Sequence, residues 1–440
     1  MYRAISRLIL YGSMPRDEIL MKLAGIFRAY EEKTEDKAAL VRDIYAQTKR
    51  ILQVATDYAF DKNLWHNYLT FLLITNENPF SITCEKTGAG DGSVNIFVKN
   101  DYQVFMELFS FDFAPIEKDL EINCFSVLQN YKAIVKPELM YNKNVSEKVR
   151  ALSEKLEKAG DVDAFFEAVT TFYRDYGVGM FGLNKAFRIR PAAGTPDSWG
   201  KQIEFIPINN MEQVTLSDLV GYELQKKKLV ENTEAFVNGK KANNVLLFGD
   251  SGTGKSTSIK AIVNQYYDRG LRMIEIYKHQ FRDLSAVIAA IKNRNYRFII
   301  YMDDLSFEED ETEYKFLKAV IEGGVETKPD NILIYATSNR RHLINETWKD
   351  RNDVTTGGGI HHSDTMEEKL SLVHRFGMTI GYQKPSQKEF FHIVKELAAK
   401  EGIRMEENEL FAEANKWEMM YGGISGRTAQ QLINHLKAQE

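Results

Sequence analysis

The chain has 440 residues, room for two or three domains, with 44% hydrophobic and 27% charged residues, the mix of a globular protein with sizeable cores. A formal net charge of -5 gives no global positive field to draw it to nucleic acid or an anionic membrane, although local basic patches remain open. Its two cysteines, Cys84 and Cys124, sit in no CxxC or His-bearing cluster, so free thiols in a reducing compartment are expected.

The amino terminus runs Met1-Tyr-Arg-Ala-Ile-Ser-Arg-Leu-Ile-Leu10, basic then apolar. The apolar run is too short for a signal sequence, and Met14-Pro15-Arg16-Asp17 follows where a small-residue cleavage site would stand. No stretch approaches the ~18 apolar residues of a membrane span. These features predict a cytoplasmic chain with no membrane partner.

Over residues 1–205 apolar residues recur at helical spacing, as in Leu152 with Leu156 and in Phe165, Val169 and Phe172. The pattern predicts a mainly α-helical N-terminal domain. One stretch differs: Val94-Asn-Ile-Phe-Val98, after the turn-rich Thr87 to Ser93, reads as a strand or hairpin arm. Gly177-Val-Gly179-Met-Phe-Gly182 fits GxGxxG, but a helical pattern precedes it, so a bend or close packing is expected and not a dinucleotide site. Pro191 to Gly200, rich in Pro, Gly and Ala, reads as a linker.

From 206 to 383 short apolar runs alternate with helical segments. The runs are Val245 to Phe248, Met273 to Tyr277, Phe298 to Met302, Ile332 to Ala336 and Met378 to Gly381. Being mostly unalternated, they predict a five-stranded parallel sheet covered on both faces, an αβα core. Residues 384–440 return to helices with no convincing strand.

The first run leads into Gly249-Asp250-Ser251-Gly252-Thr253-Gly254-Lys255-Ser256, and a helix begins near Lys255 with Ile259, Ile262, Val263 and Tyr266 on one stripe. A GxxxxGK[ST] loop between strand and helix cradles phosphate, because successive backbone N–H groups and the helix N-terminus converge on it. Lys255 would place a cation on the β- and γ-phosphates and the Ser256 hydroxyl would ligate Mg²⁺, with Thr257 completing the expected nucleotide-holding segment. ATP with Mg²⁺ is the predicted ligand. Further along, Phe298-Ile-Ile-Tyr-Met302 ends in Asp303-Asp304. Asp303 is expected to hold Mg²⁺ through its water shell, and Asp304 to orient or deprotonate an attacking water.

These residues resemble the AAA+ superfamily of P-loop ATPases over roughly 211–438. A narrower likeness rests on Ala242 to Ser256, on Asp303-Asp-Leu-Ser-Phe307 and on Tyr335-Ala-Thr-Ser-Asn-Arg-Arg-His-Leu343. Together they look like a bacterial ATP-binding family catalogued as domain of unknown function 815. The AAA+ resemblance implies an α/β P-loop core over 206–383 and a C-terminal helical lid over 384–440. It implies adenine packing for Val220 and Tyr222 in Leu219-Val-Gly-Tyr222, the sensor 1 role for Asn339, and the sensor 2 role on the lid for Arg427. It implies for Arg375 the part of an arginine finger inserted into a neighbouring subunit, hence a homo-oligomer. A guanidinium suits both arginine roles, since charge on the transferred phosphoryl oxygens is met by donors in a fixed fork.

Two departures qualify that likeness. Asp304 stands where most AAA+ enzymes carry Glu, one methylene longer, so hydrolysis is expected but at a low rate. Helicase loaders and replication initiators also carry Asp-Asp there. The segment Tyr277-Lys-His-Gln-Phe-Arg-Asp-Leu284 lacks the aromatic-hydrophobic-Gly triplet of protein-threading motors. His361-His362, after Gly357-Gly-Gly359, reads as a loop, and Glu308 to Glu313 as a solvated helix start. Lys226-Lys-Lys228 and Arg340-Arg341 could touch phosphates, but with a pI near 6.0 a protein partner is the stronger expectation. The leading reading is an ATPase that couples hydrolysis to conformational change in a macromolecular partner. The alternative is a slowly hydrolysing nucleotide-gated binding module or scaffold, and a small-molecule kinase is less supported.

Overall fold

The computed structural model describes all residues except 134–142, 192–202, 210, 308–310, 312, 323–328, 340–371 and 440. The chain divides into two compact units, Met1–Asn184 and Lys185–Glu440.

The first unit is helical among its described residues, and its helices start where the sequence supplies caps. Asp36, Asn63 and Asp161 each accept a backbone N–H from the first turn of the helix that follows. Asn78 does so with Pro79 at the first helical position. Trp65, Phe105, Phe125, Phe165 and Tyr173 lie in one buried core. Val94 to Val98, read from sequence as a strand or hairpin arm, is instead the first turn of a helix spanning Val94–Phe109. Five residues cannot separate the two periods; the later apolar positions Tyr102, Phe105 and Phe109 continue Val94 and Val98 at helical spacing and decide it. Gly177 closes the preceding helix and Gly179 opens the short turn Met180–Leu183, so the GxGxxG run is a bend with no strand before it.

The second unit is built on seven strands: β1 (Ala186–Pro191), β2 (Ile203–Pro207), β3 (Val245–Gly249), β4 (Leu271–Glu275), β5 (Arg297–Met302), β6 (Ile332–Ser338) and β7 (Met378–Tyr382). Their order is β2-β1-β4-β5-β6-β3-β7, parallel except for the β1–β2 pair. All five expected strands are present. The two added ones extend the β4 edge, with Ala186 beside Met273 and Arg188 beside Glu275. Phe187 and Ile189 are buried, whereas Arg188 and Arg190 point out and pair with Glu275 and Glu204. β1 thus lies in the sequence stretch read as helical, yet belongs to the sheet.

Among the described residues the longer helices of this unit are α1 (Glu223–Val237), α2 (Lys255–Tyr266), α3 (Leu284–Ile291), α4 (Tyr314–Glu322), α5 (Gln387–Glu401), α6 (Glu407–Tyr421) and α7 (Gly426–Lys437). One sheet face buries Val245, Leu247, Ile299, Tyr301, Leu333 and Tyr335 against Ile259, Ile262 and Val263 of α2 and Leu229 and Phe236 of α1. The alternate residues Leu246, Ile274, Ile300 and Ile334 are buried as well, which is why the strands read as unbroken apolar runs. Each such side chain contributes roughly 1.5–3 kcal/mol on leaving water. The last three helices share a core of Phe390, Val394, Ala414, Leu432 and Ile433, against which Val220 packs.

β3 lies between β6 and β7, and its last residue, Gly249, pairs with Tyr382. Its φ is +131°, and a Cβ there would come within 2.0 Å of the Tyr382 carbonyl oxygen. Gly249→Ala therefore pushes β3 and β7 apart where the loop begins. The expected cost is about 2 kcal/mol or more, read as a lowered unfolding midpoint in urea.

Candidate functional site

Strand alternation decides where the two carboxylates after β5 go. Ile299 and Tyr301 face the α2 side, so Asp303 continues that face and meets the first turn of α2. The Ser256 hydroxyl donates to Asp303 Oδ1 at 2.7 Å. The β5–β6 register sets Met302 beside Ala336, which brings the next residue, Thr337, to the same carboxylate. Thr337 Oγ1 donates to Asp303 Oδ1 at 2.6 Å and accepts the Asp304 N–H at 2.9 Å. Asp304 leaves the strand with φ +49°, in the left-handed region. Asn339 Nδ2 donates to Asp304 Oδ1 at 2.8 Å.

Lys255 sits at the start of α2, buried under the loop. Its ammonium donates to the Gly249 and Asp250 carbonyls at 2.9 and 2.7 Å and to Asn339 Oδ1 at 3.0 Å. Lysine, both aspartates and asparagine thus form one connected network. Burial lowers the Lys255 pKa, while the charges of Asp250, Asp304 and Asp303 oppose the shift. For Asp303 burial acts to raise the carboxyl, but the surrounding hydroxyls of Thr337, Tyr301 and Ser256 outweigh it, and the net shift is downward.

The loop is held from two sides. Asp250 N–H donates to the Tyr382 carbonyl at 3.0 Å, and Asp250 Oδ2 accepts the Lys384 N–H at 2.8 Å. On the other side the N-terminus of α7 rests on the loop: Arg427 N–H donates to the Gly252 carbonyl at 3.1 Å. A Cβ on Gly252 would meet Ser425 Oγ at 2.9 Å, so this approach requires glycine.

These elements enclose a cavity of about 830 Å³. Its lining includes Ser251, Gly252, Thr253, Gly254, Lys255, Ser256 and Thr257, together with Asp303, Asp304, Asn339, Arg427, Val220 and Tyr222. Of the residues singled out in the sequence, Gly249, Asp250 and Arg375 are not in the lining. Gly249 ends β3 and Asp250 begins the loop, and Arg375 is in the turn before β7. Tyr222 lies with its ring centroid 5.1 Å from that of Tyr382, and its hydroxyl donates to the Gln383 carbonyl at 2.8 Å. Burial pushes its phenol up to about 12.

Sequence reasoning missed several lining residues. Thr337 stood inside the quoted run after Tyr335, and pairing β5 with β6 would have pointed to it. Leu219 and, on α5, Ile393, Leu397 and Lys400 also line the cavity, and only the folded positions of the C-terminal helices bring the last three there. Lys226, weighed as a phosphate contact, is turned inward, donating to the Leu219 carbonyl at 2.8 Å. His361, His362, Arg340 and Arg341 lie outside the described residues, as does part of the acidic run 308–313.

Among the described residues no group of three or more His, Cys, Asp or Glu could hold a metal ion by itself. The donor set here, one carboxylate and one hydroxyl beside a phosphate loop, fits Mg²⁺, which takes few protein ligands and completes its shell with water and phosphate.

Lys400 of α5 pairs with Asp218, on the turn that leads into Leu219. Led by that bond, then by Thr215, the Asp218 carboxyl is held at about 2 against an ordinary 3.8. A depressed carboxyl contributes stability above its unfolded value and loses it as pH falls through its folded value. The stability difference between the natural chain and Asp218→Asn, measured by urea denaturation, is therefore expected to shrink as pH falls from 3.8 towards about 2.

A family model described as "Protein of unknown function (DUF815)" matches residues 195–440. None of the curated proteins compared matches the chain. Among solved structures, a variant of RuvB from Thermotoga maritima is 19% identical with a TM-score of 0.35, covering 50% of this chain and 64% of that one. The T. maritima RuvB Holliday junction branch migration motor is 15% identical with a TM-score of 0.31, over 50% and 71% of the two chains. The AAA domain of FIGL-1 in complex with ADP is 18% identical with a TM-score of 0.36, over 52% and 74%.

Proposed function

The chain belongs to the DUF815 family, and on the geometry of its site we propose that it is an AAA+ P-loop ATPase that binds and hydrolyses Mg-ATP, coupling the cycle to conformational change in a macromolecular partner. The observation that carries this reading is the single hydrogen-bonded network joining Lys255, Asn339 and Asp304 and, through Thr337, Asp303 and Ser256.

In this reading the N–H groups of Ser251 to Ser256 and the N-terminus of α2 receive the β-phosphate. Lys255, already desolvated, places its ammonium on the β- and γ-phosphates. Ser256 and Asp303 would hold Mg²⁺, whose charge neutralises the phosphate oxygens. Asn339 fixes Asp304 by one carboxylate oxygen, leaving the other to take the proton of a water aligned with the γ-phosphate. Arg427 adds a guanidinium from the C-terminal helices, which act as a lid, and Val220 and Tyr222 receive the base. Arg375, outside the cavity, is assigned to the site of a neighbouring copy, which makes the active form a homo-oligomer. The acidic balance and the inward-turned Lys226 support a protein partner over nucleic acid. Among the described residues no helix is long and apolar enough to cross a membrane. A cytoplasmic location completes the proposal.

Phosphate release from Mg-ATP by the full chain, with no acceptor added, tests this reading and separates it from a kinase. Asp304→Asn is expected to lose about 100-fold or more in turnover while still binding ATP. Lys255→Ala is expected to lose ATP binding, and Arg375→Ala to lose turnover with binding near normal. Wild-type turnover by Asp304→Asn would overturn the assignment of the base, and wild-type turnover by Arg375→Ala the shared site. Persistent, very slow turnover in the natural chain would favour the nucleotide-gated module.

A further inference from the structure

Thr337 is the residue this network cannot do without, although no motif singles it out. Its side chain is buried and its hydroxyl faces two carboxylate-bearing residues at once. It donates its only proton to Asp303 Oδ1 and, with a lone pair, accepts the N–H of Asp304. The next amide is held by the same residue, since Leu305 N–H donates to the Thr337 carbonyl at 2.7 Å. Asp304 meanwhile has φ +49°, a conformation that L residues with a Cβ adopt only when their surroundings enforce it. The two amides held by Thr337 flank that turn, and Asn339 secures the Asp304 carboxylate beyond it. β6 and the residue that follows it supply these partners, and the strand register with β5 fixes the height of Thr337.

We propose that Thr337 is a positioning residue that couples the metal-holding carboxylate to the base. One hydroxyl orients Asp303 Oδ1 toward Ser256 and simultaneously locks the left-handed turn that aims Asp304. Its effect runs through Asp303 on cation binding and through Asp304 on turnover. This rests on the reading of the cavity as a Mg-ATP site.

The pair Thr337→Ser and Thr337→Ala isolates the hydroxyl, because both lack the methyl group and differ only in Oγ. ATP is titrated into the full chain by calorimetry, once with excess MgCl₂ and once with EDTA, and phosphate release is measured in parallel. Thr337→Ala is expected to weaken ATP binding about tenfold in MgCl₂ and to leave it unchanged in EDTA, with kcat down about tenfold or more. Thr337→Ser is expected to stay within about twofold of the natural chain in every measurement. Circular dichroism checks that each variant is folded; should the Ala protein be unfolded, the isosteric Thr337→Val replaces it in the comparison. Equal behaviour of the Ser and hydroxyl-free variants, or a hydroxyl-free variant matching the natural chain, would overturn the inference while leaving the ATPase reading intact. A natural chain with no Mg²⁺-dependent gain in ATP affinity and no turnover would sink the ATPase reading, and this inference with it.

Discussion

The constraint on which this unit depends is that the strand leading into the loop must end with no side chain. β3 is hydrogen-bonded on both sides, by β6 and by β7, so its direction is not adjustable. At Gly249 the Tyr382 carbonyl occupies the space a Cβ would need. The chain can therefore leave the sheet there, fold under its own helix and return its N–H groups to one point. Much of what is placed around that point takes its position from neighbouring strands: Asp303 from the end of β5, Thr337 from β6 with Asn339 just after it, and the tie on Asp250 from β7.

Charge makes the second constraint. A buried ammonium is costly to desolvate, and the structure answers with short hydrogen bonds and not with an isolated ion pair. Asp303 is surrounded by hydroxyls, which stabilise its charged form without neutralising it. Lys255 is satisfied by two carbonyls and an amide oxygen, none of which carries a full charge. The network thus keeps its formal charges uncancelled, in a form that anionic phosphate and a divalent cation would complement.

Much of this was legible because it is local. The loop Gly249 to Ser256 is a contiguous run between a strand and a helix, and the Asp303-Asp304 pair closes a strand by its own alternation. Strands β3, β5 and β6 announced themselves because burial on both faces removes polar residues from the run. What escaped was non-local or weakly patterned. β1 shows only Phe187 and Ile189 between arginines, and its sheet membership depends on pairing with β4, far along the chain. The Val94 run was too short to choose between periods. Thr337 has the residue type of an ordinary strand threonine; only the register with β5 gives it meaning. Lys226 looked like part of an exposed basic run, and its inward turn is set by carbonyls of the preceding loop.

The contact between Arg427 N–H and the Gly252 carbonyl has a mechanical corollary. It sits at one end of α7, a 12-residue helix about 18 Å long. The loop therefore touches one end of a helix whose other residues pack among α5 and α6. A tilt of about 10° at that pivot carries the far end by about 3 Å, a displacement large enough to be felt by any surface resting on it. A rotation of the helix about its contact with the loop would be read at the far end as a motion on the scale of a side chain.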